Sequence, residues 1–110
     1  MSITVNLYYN GENGSARLFA HEMTESGTVA AIRAEEGNLR YEYFFPMEDP
    51  ETVLLIDSWR DQAAIDAHHA SPMMKTIFTL REKYDLHVRA ERYLSDDAGV
   101  PQKDQAFLRK

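Results

Sequence analysis

The chain has 110 residues, of which 44% are hydrophobic and 27% are charged, as is typical of a single globular domain. Twelve Lys and Arg residues stand against 18 Asp and Glu residues, and this net charge of -6 argues against nucleic acid and against an anionic membrane as partners. The sequence contains no cysteine, which excludes disulfides, thiol catalysis and cysteine-ligated metal centres.

The first residues predict a strand rather than a signal peptide. Every second residue is apolar from the third position on, at Ile3, Val5, Leu7 and Tyr9. The segment has no basic start and no small-residue cleavage site, and no apolar run approaches the ~20 residues of a membrane span. We therefore expect a cytoplasmic protein that does not bind membranes.

A helical pattern follows the turn-forming residues 10–14. Its apolar positions recur at steps of three, four and seven and form one stripe: Ala16, Phe19, Ala20, Met23, Ala30 and Ala34. Ser15 is the predicted N-cap, and Gly37 follows where a helix C-terminus favours glycine. Gly27 lies on the stripe and predicts a kink or a close packing contact.

Two further strands are predicted at residues 38–46 and 52–59. Only a short turn around Pro50 separates them, so we expect an antiparallel hairpin. Residues 53–56 are apolar without alternation, which is typical of a strand that is covered on both sides.

A second helical region is predicted after Asp61, its N-cap, with an interruption at Pro72. The last strand is predicted at residues 86–94. Residues 95–110 then form a tail, in which Phe107 and Leu108 offer apolar docking groups, so the domain is expected to span residues 1–94.

The resulting order, β-α-β-β-α-β, predicts an α+β fold of the ferredoxin-like type, with a four-stranded antiparallel sheet and two helices on one face. Two helices cover only one side of that sheet. Because the third strand is apolar on both sides, we expect a second copy of the sheet to cover the other side and form a homodimer.

Three side chains are the candidates for chemistry. With Asp61 as N-cap, His68 falls on the inward side of its helix, where it is either a proton acceptor or a hydrogen-bonded core residue. Trp59 either stacks on a planar ligand or closes the core. The amide of Asn6 either stabilises an oxyanion or has a structural partner.

No metal site is predicted. His68 and the adjacent His69 point about 100° apart on a helix, so they cannot bind one ion together.

Three parts of the sequence follow in this order: Glu-Gly-Asn-Leu-Arg-Tyr-Glu at residues 36–42, Trp59, and Ala-His-His-Ala-Ser-Pro at residues 67–72. Together they resemble the antibiotic-biosynthesis monooxygenase (ABM) family. The resemblance covers residues 3–94. It implies a dimeric α/β barrel with a ligand pocket between helices and sheet. Its monooxygenase members oxidise phenols, anthrones or quinols with O2 and use no cofactor.

The resemblance also assigns roles to residues of this chain. His68 matches the family's helix histidine and is expected to transfer the proton, with Asn6 as the second catalytic candidate. Trp59 matches the tryptophan at the strand end and is expected to bind substrate. The other expected substrate-binding residues are apolar side chains of the two helical regions: Phe19, Met23, Ile65 and Phe78.

Other branches of the family leave alternatives open. Phe78 stands where the haem-degrading members have the haem-ligating histidine, so haem is not expected. An isomerase branch acts on a phosphorylated metabolite, for which Arg33 and Arg40 are the nearest cations. A binding module for a small aromatic molecule is the third alternative, and the leading prediction is a cofactor-independent monooxygenase acting on a small aromatic substrate.

Overall fold

The computed structural model describes residues 1–109 and contains one four-stranded antiparallel sheet. Its strands are β1 (Ile3–Asn10), β2 (Asn38–Phe44), β3 (Thr52–Trp59) and β4 (His87–Leu94). They lie in the order β2-β3-β1-β4, and β2 and β3 form the predicted hairpin. This order confirms the ferredoxin-like α+β fold.

Four α-helices connect the strands. Helices α1 (Ser15–Glu25) and α2 (Thr28–Arg33) follow β1, and α3 (Gln62–His69) and α4 (Met73–Lys83) follow β3. Each of the two predicted helical regions is therefore a pair of helices.

Gly14 precedes the first helical region, and Gly27 interrupts it. Gly27 has a φ of 84°, in the left-handed region, and it separates α1 from α2. Apart from its immediate chain neighbours, no atom lies within 4 Å of where its side chain would begin, so the conformation rather than a close contact explains this glycine. The prediction of Ser15 as N-cap is wrong, because Gly14 occupies that position and Ser15 is already helical.

The pleat gives the sheet two different faces. The covered face packs against the helices and carries the odd-numbered residues of β1 and β3, which lie opposite one another in pairs such as Val5 and Asp57. The open face carries the even-numbered residues of the same strands, including Asn6 and its neighbour Ile56. No helix of the described residues packs on the open face.

The core lies between the covered face and the helices. The stripe of α1 contributes Ala16, Phe19, Ala20 and Met23, all of them buried. The central strand β3 contributes Val53, Leu55 and Trp59. Burying side chains of this size contributes roughly 1.5–3 kcal/mol each.

The open face is a mixture of apolar and paired charged groups. Leu54 and Ile56 are half-buried at its centre, and Tyr93 is 50% exposed at its β4 side. Arg40 pairs with Glu42 at 3.1 Å, and the Arg89 guanidinium lies 3.9 Å from the centre of the Tyr8 ring.

The chain beyond β4 is anchored at its start. The Ser95 amide donates to the Ser2 carbonyl at 3.0 Å, and the Ser2 amide donates to Ser95 Oγ at 2.9 Å. A 3-10 helix then spans Gln102–Phe107, and the Phe107 ring is almost fully exposed. The division of the chain at residue 94 stays a prediction, and Lys110, the last residue of the predicted tail, lies outside the described residues.

Within residues 1–109, no helix combines the length and the apolar character that crossing a bilayer requires.

Candidate active site

A cavity of about 160 Å³ lies between the covered face and helices α3 and α4. Its apolar and aromatic walls come from five elements: Val5, Leu7, Tyr9, Tyr41, Trp59, Ile65, Met74 and Ile77. Two buried polar side chains, Asp57 and His68, interrupt these walls. Gln62, His69 and Arg92 complete the lining, and all three are exposed.

The N-cap of α3 sets the direction of His68. The Asp61 carboxylate accepts from the Ala64 amide at 2.9 Å, so the predicted cap is confirmed. From that start, Ala64, Ile65 and His68 all lie on the buried side of the helix. The imidazole thereby reaches the cavity although it belongs to a helix of only eight residues.

Glu35 holds the His68 ring at its Nδ1 atom and does not itself line the cavity. Its two carboxylate oxygens lie 3.0 and 3.1 Å from His68 Nδ1, and its side chain is 16% exposed. A carboxylate accepts but does not donate, so Nδ1 carries a proton, and in the neutral ring Nε2 is the acceptor. The contact between Glu35 and His68 therefore leaves Nε2 as the basic nitrogen of the neutral imidazole.

Gly37 allows the Glu35 loop to approach α3. A side-chain carbon on Gly37 would lie 2.5 Å from Ala64 Cβ, and its φ of 84° is left-handed. The Gly37 carbonyl also accepts from the Arg60 amide at 2.8 Å, which ties this loop to the end of β3. A larger residue at position 37 would push Glu35 away from His68.

Trp59 connects the two buried polar groups. Its ring stacks on His68 with the ring centres 4.7 Å apart and the planes at 29°. Its Nε1–H donates to Asp57 Oδ1 at 2.6 Å. Two contacts therefore fix the indole: the hydrogen bond at its edge and the imidazole stacked on its ring.

Burial changes the acid–base behaviour of the cavity walls. Desolvation raises the pKa of Asp57, while the hydrogen bond from Trp59 and the charges of His68 and His69 act in the opposite direction. Desolvation also raises the pKa of Tyr9 and Tyr41, which line the cavity, and of Tyr43, which does not, and the negative charge of Asp57 adds to this rise. At neutral pH the three phenols are therefore uncharged.

The structure brings together only part of the predicted site. Trp59, Ile65 and His68 all line the cavity. Phe19 and Met23 are fully buried in the packed core and do not line it. Phe78 is 46% exposed on α4, where the Arg81 guanidinium lies over its ring, and it does not line the cavity either.

Asn6 lies on the other side of the sheet from His68. Its neighbours Val5 and Leu7 line the cavity, and successive residues of a strand point to opposite faces. Asn6 Oδ1 is buried at the open face without a hydrogen-bond partner in the described part of the chain. Within one protomer Asn6 and His68 therefore do not share a cavity.

Three groups of this site were not predicted. Asp57 had a recognisable signal, because it interrupts the inward-facing apolar series of β3 at Val53, Leu55 and Trp59. Glu35 had none, since 33 residues separate it from His68. Arg92 lines the cavity from the edge strand β4, whereas the predicted cations Arg33 and Arg40 do not.

A larger hollow of about 520 Å³ lies on the open face, between Tyr8, Pro46, His87 and Arg89. It is less suited to catalysis than the smaller cavity, because its side chains are mostly exposed and it contains no buried titratable group. Among residues 1–109 no group of three or more His, Cys, Asp or Glu side chains could hold a metal ion.

Comparison with known families identifies the chain. Residues 2–80 match the antibiotic biosynthesis monooxygenase (ABM) family, which is most of the chain. The protein belongs to this family, as its strand and helix strings predicted.

Similar proteins agree with this assignment. "Putative monooxygenase YcnE" of Bacillus subtilis is 37% identical over 41 residues, which are 37% of this chain and 43% of YcnE. The match therefore spans less than half of the length of this curated relative.

Solved structures share the fold. PA3566 from Pseudomonas aeruginosa is 24% identical with a TM-score of 0.73, over 86% of this chain and 93% of that one. An N63A mutant of SnoaB, a cofactor-independent oxygenase from Streptomyces nogalater, is 15% identical with a TM-score of 0.72, over 86% and 93% of the two chains.

Proposed function

We propose that the protein is a cofactor-independent oxygenase that oxidises a small phenol or quinol with O2. The observation that carries the proposal is the imidazole of His68, buried at a cavity wall, stacked on Trp59 and held at Nδ1 by Glu35. Family membership and the oxygenase named among the similar structures support the reaction class.

In the proposed mechanism His68 begins the reaction by accepting a proton. Its Nε2 takes the proton of a substrate hydroxyl, and the Glu35 carboxylate, 3.0 Å from Nδ1, stabilises the imidazolium that forms. The phenolate left behind is electron-rich, and it reduces O2 itself. One oxygen atom enters the ring and the other leaves as water, so that hydroquinone and O2 yield a hydroxyquinone and water.

The walls of the cavity serve this reaction by excluding water. Val5, Leu7 and Met74 are apolar, and the tyrosines beside them stay uncharged. In such surroundings the attraction between the phenolate and the imidazolium is stronger than in water, and reactive oxygen intermediates are protected from solvent.

An oxygen electrode tests the proposal with a panel of hydroquinones, naphthoquinols and anthrones. We expect O2 uptake, and we expect His68→Gln to lower turnover by about 10²–10⁴ without changing the circular dichroism spectrum. His21→Gln is the matched control, because His21 is exposed on α1 and does not line the cavity.

Three other results would overturn the proposal in distinguishable ways. Full activity of His68→Gln would remove the histidine from the chemistry. Equal turnover under nitrogen would indicate an isomerase or another proton-transfer enzyme in the same cavity. Quenching of the single tryptophan, Trp59, by ligands without turnover in either gas would indicate a binding module.

We also propose that the protein acts as a homodimer joined through the open face. Leu54 and Ile56 present apolar surface there that one protomer leaves half-buried. Ile56→Asp should give a folded monomer by light scattering, because a charge would be buried in the interface. Thr79→Asp on the exposed side of α4 should stay dimeric.

A further inference from the structure

Asp57 is an acid in a place where the fold would otherwise put an apolar side chain. It faces the helices from the centre of the sheet, between Val5 on β1 and Tyr41 on β2, and it is 8% exposed. A buried carboxylate costs free energy unless its oxygens find donors, so a residue of this kind at a cavity wall points to a ligand.

The carboxylate retains capacity to accept hydrogen bonds. Trp59 Nε1 donates to Oδ1 at 2.6 Å, and the described residues supply no second donor within hydrogen-bonding distance. An ionised carboxylate accepts up to about four hydrogen bonds. Asp57 therefore has acceptor positions left for a molecule in the cavity.

His68 is the second acceptor of the same cavity. Because Glu35 occupies Nδ1, the free nitrogen of the imidazole is Nε2, which accepts but does not donate in the neutral ring. Two buried acceptors, Asp57 and His68, thus lie among aromatic and aliphatic walls, and the other polar lining residues, Gln62, His69 and Arg92, are exposed. A complementary ligand must supply two donors on an apolar body.

The volume of the cavity limits the size of the apolar part of the ligand. An apolar cavity of about 150 Å³ in another protein binds benzene. The cavity here has about 160 Å³, which matches one aromatic ring.

We propose that the site binds a single aromatic ring with two hydroxyl groups, one donating to His68 Nε2 and the other to Asp57. Asp57 is then a specificity-determining residue that distinguishes a dihydric phenol from its monomethyl ether. The inference rests on the proposed function of the cavity, but it concerns binding and does not require O2.

Binding measured under nitrogen tests this inference. The probes are hydroquinone against 4-methoxyphenol and catechol against 2-methoxyphenol, followed by quenching of Trp59 and by calorimetry. We expect the diol to bind about 10–100-fold more tightly in at least one pair, because the ether leaves a buried acceptor without a donor.

The variant Asp57→Asn tests whether Asp57 causes the preference for the diol over the ether. Asparagine still accepts from Trp59, but it presents an amide donor to the cavity, so the preference for the diol should vanish or reverse. Asp85→Asn is the matched control, because Asp85 is exposed between α4 and β4 and does not line the cavity. This variant should keep the wild-type ratio.

Each outcome of these measurements either supports or overturns the inference. Equal binding of diol and ether by the wild-type protein overturns the inference, even if Asp57→Asn fails to fold. An unchanged ratio in a folded Asp57→Asn also overturns it. Discrimination without O2 uptake supports the inference and overturns the proposed oxygenase, whereas O2 uptake without discrimination does the reverse.

Discussion

The two faces of the sheet carry the same kind of alternating strand but differ in what covers them. On the covered face Leu55 and Trp59 are fully buried, and the same face places Asp57 beside the cavity. On the open face Leu54 and Ile56 stay half-buried, and no cluster of buried titratable groups forms. The buried titratable groups Asp57 and His68 lie where the helices exclude water, and there a charge or a proton acceptor acts in a low dielectric.

The largest expected effect comes from truncating one leucine on each face. Leu55→Ala should lower the free energy of unfolding by about 2–5 kcal/mol, since it leaves a cavity in the packed core. The adjacent Leu54→Ala should cost less than about 1.5 kcal/mol in the monomer and should mainly weaken association. Urea unfolding at two protein concentrations measures both.

Equal losses for the two variants at a concentration where the protein is monomeric would show that the comparison is mistaken. The open face would then be packed as tightly within one chain as the covered face.

A smaller effect is expected from the Glu35 carboxylate that contacts the His68 imidazole. Glu35→Gln removes the charge that fixes the His68 ring, so kcat should fall about 10–100-fold. KM should change little, because Glu35 does not line the cavity. Glu36→Gln is the control, since Glu36 is exposed and contacts only Arg60 at 3.5 Å.

A change in KM with constant kcat would contradict this positioning role and would place Glu35 in substrate binding instead.

The smallest effect, and one of opposite sign, is expected on stability from Asp57→Asn. Burial raises the pKa of Asp57, so the folded state binds this proton more tightly than the unfolded state does. Stability of the wild type therefore falls as the pH rises from the ordinary Asp range through the raised pKa. Asp57→Asn should raise Tm by a few degrees at pH 7 and should lose this advantage at pH 3.

Thermal unfolding across that pH range checks the sign. A Tm advantage that is independent of pH would mean that the carboxylate is not strained by burial in the folded protein.

Much of the fold could be predicted from local patterns. The alternation at residues 3–9 and the helical stripe from Ala16 gave elements of the right type, and their order allowed one architecture. The pattern predicts only a kink or a contact at Gly27, where the structure ends α1, because an apolar stripe continues across a short interruption whether or not the helix does.

The site could be predicted only in part. Asp61 and the helical period were enough to direct His68 inward, and Trp59 and Ile65 lie beside it as expected. Phe19, Met23 and Phe78 share an apolar character with the cavity walls, but apolar periodicity does not tell a cavity from a packed core or from a half-exposed helix face.

By itself, then, the chain specified its strands, its helices and the inward direction of a histidine, because those depend on neighbours a few residues apart. The tertiary structure alone decided that Glu35 holds His68, that Asp57 enters the cavity and that Asn6 faces away. These relations join residues far apart along the chain, and they depend on strand register and loop approach, which set distances that no local pattern encodes.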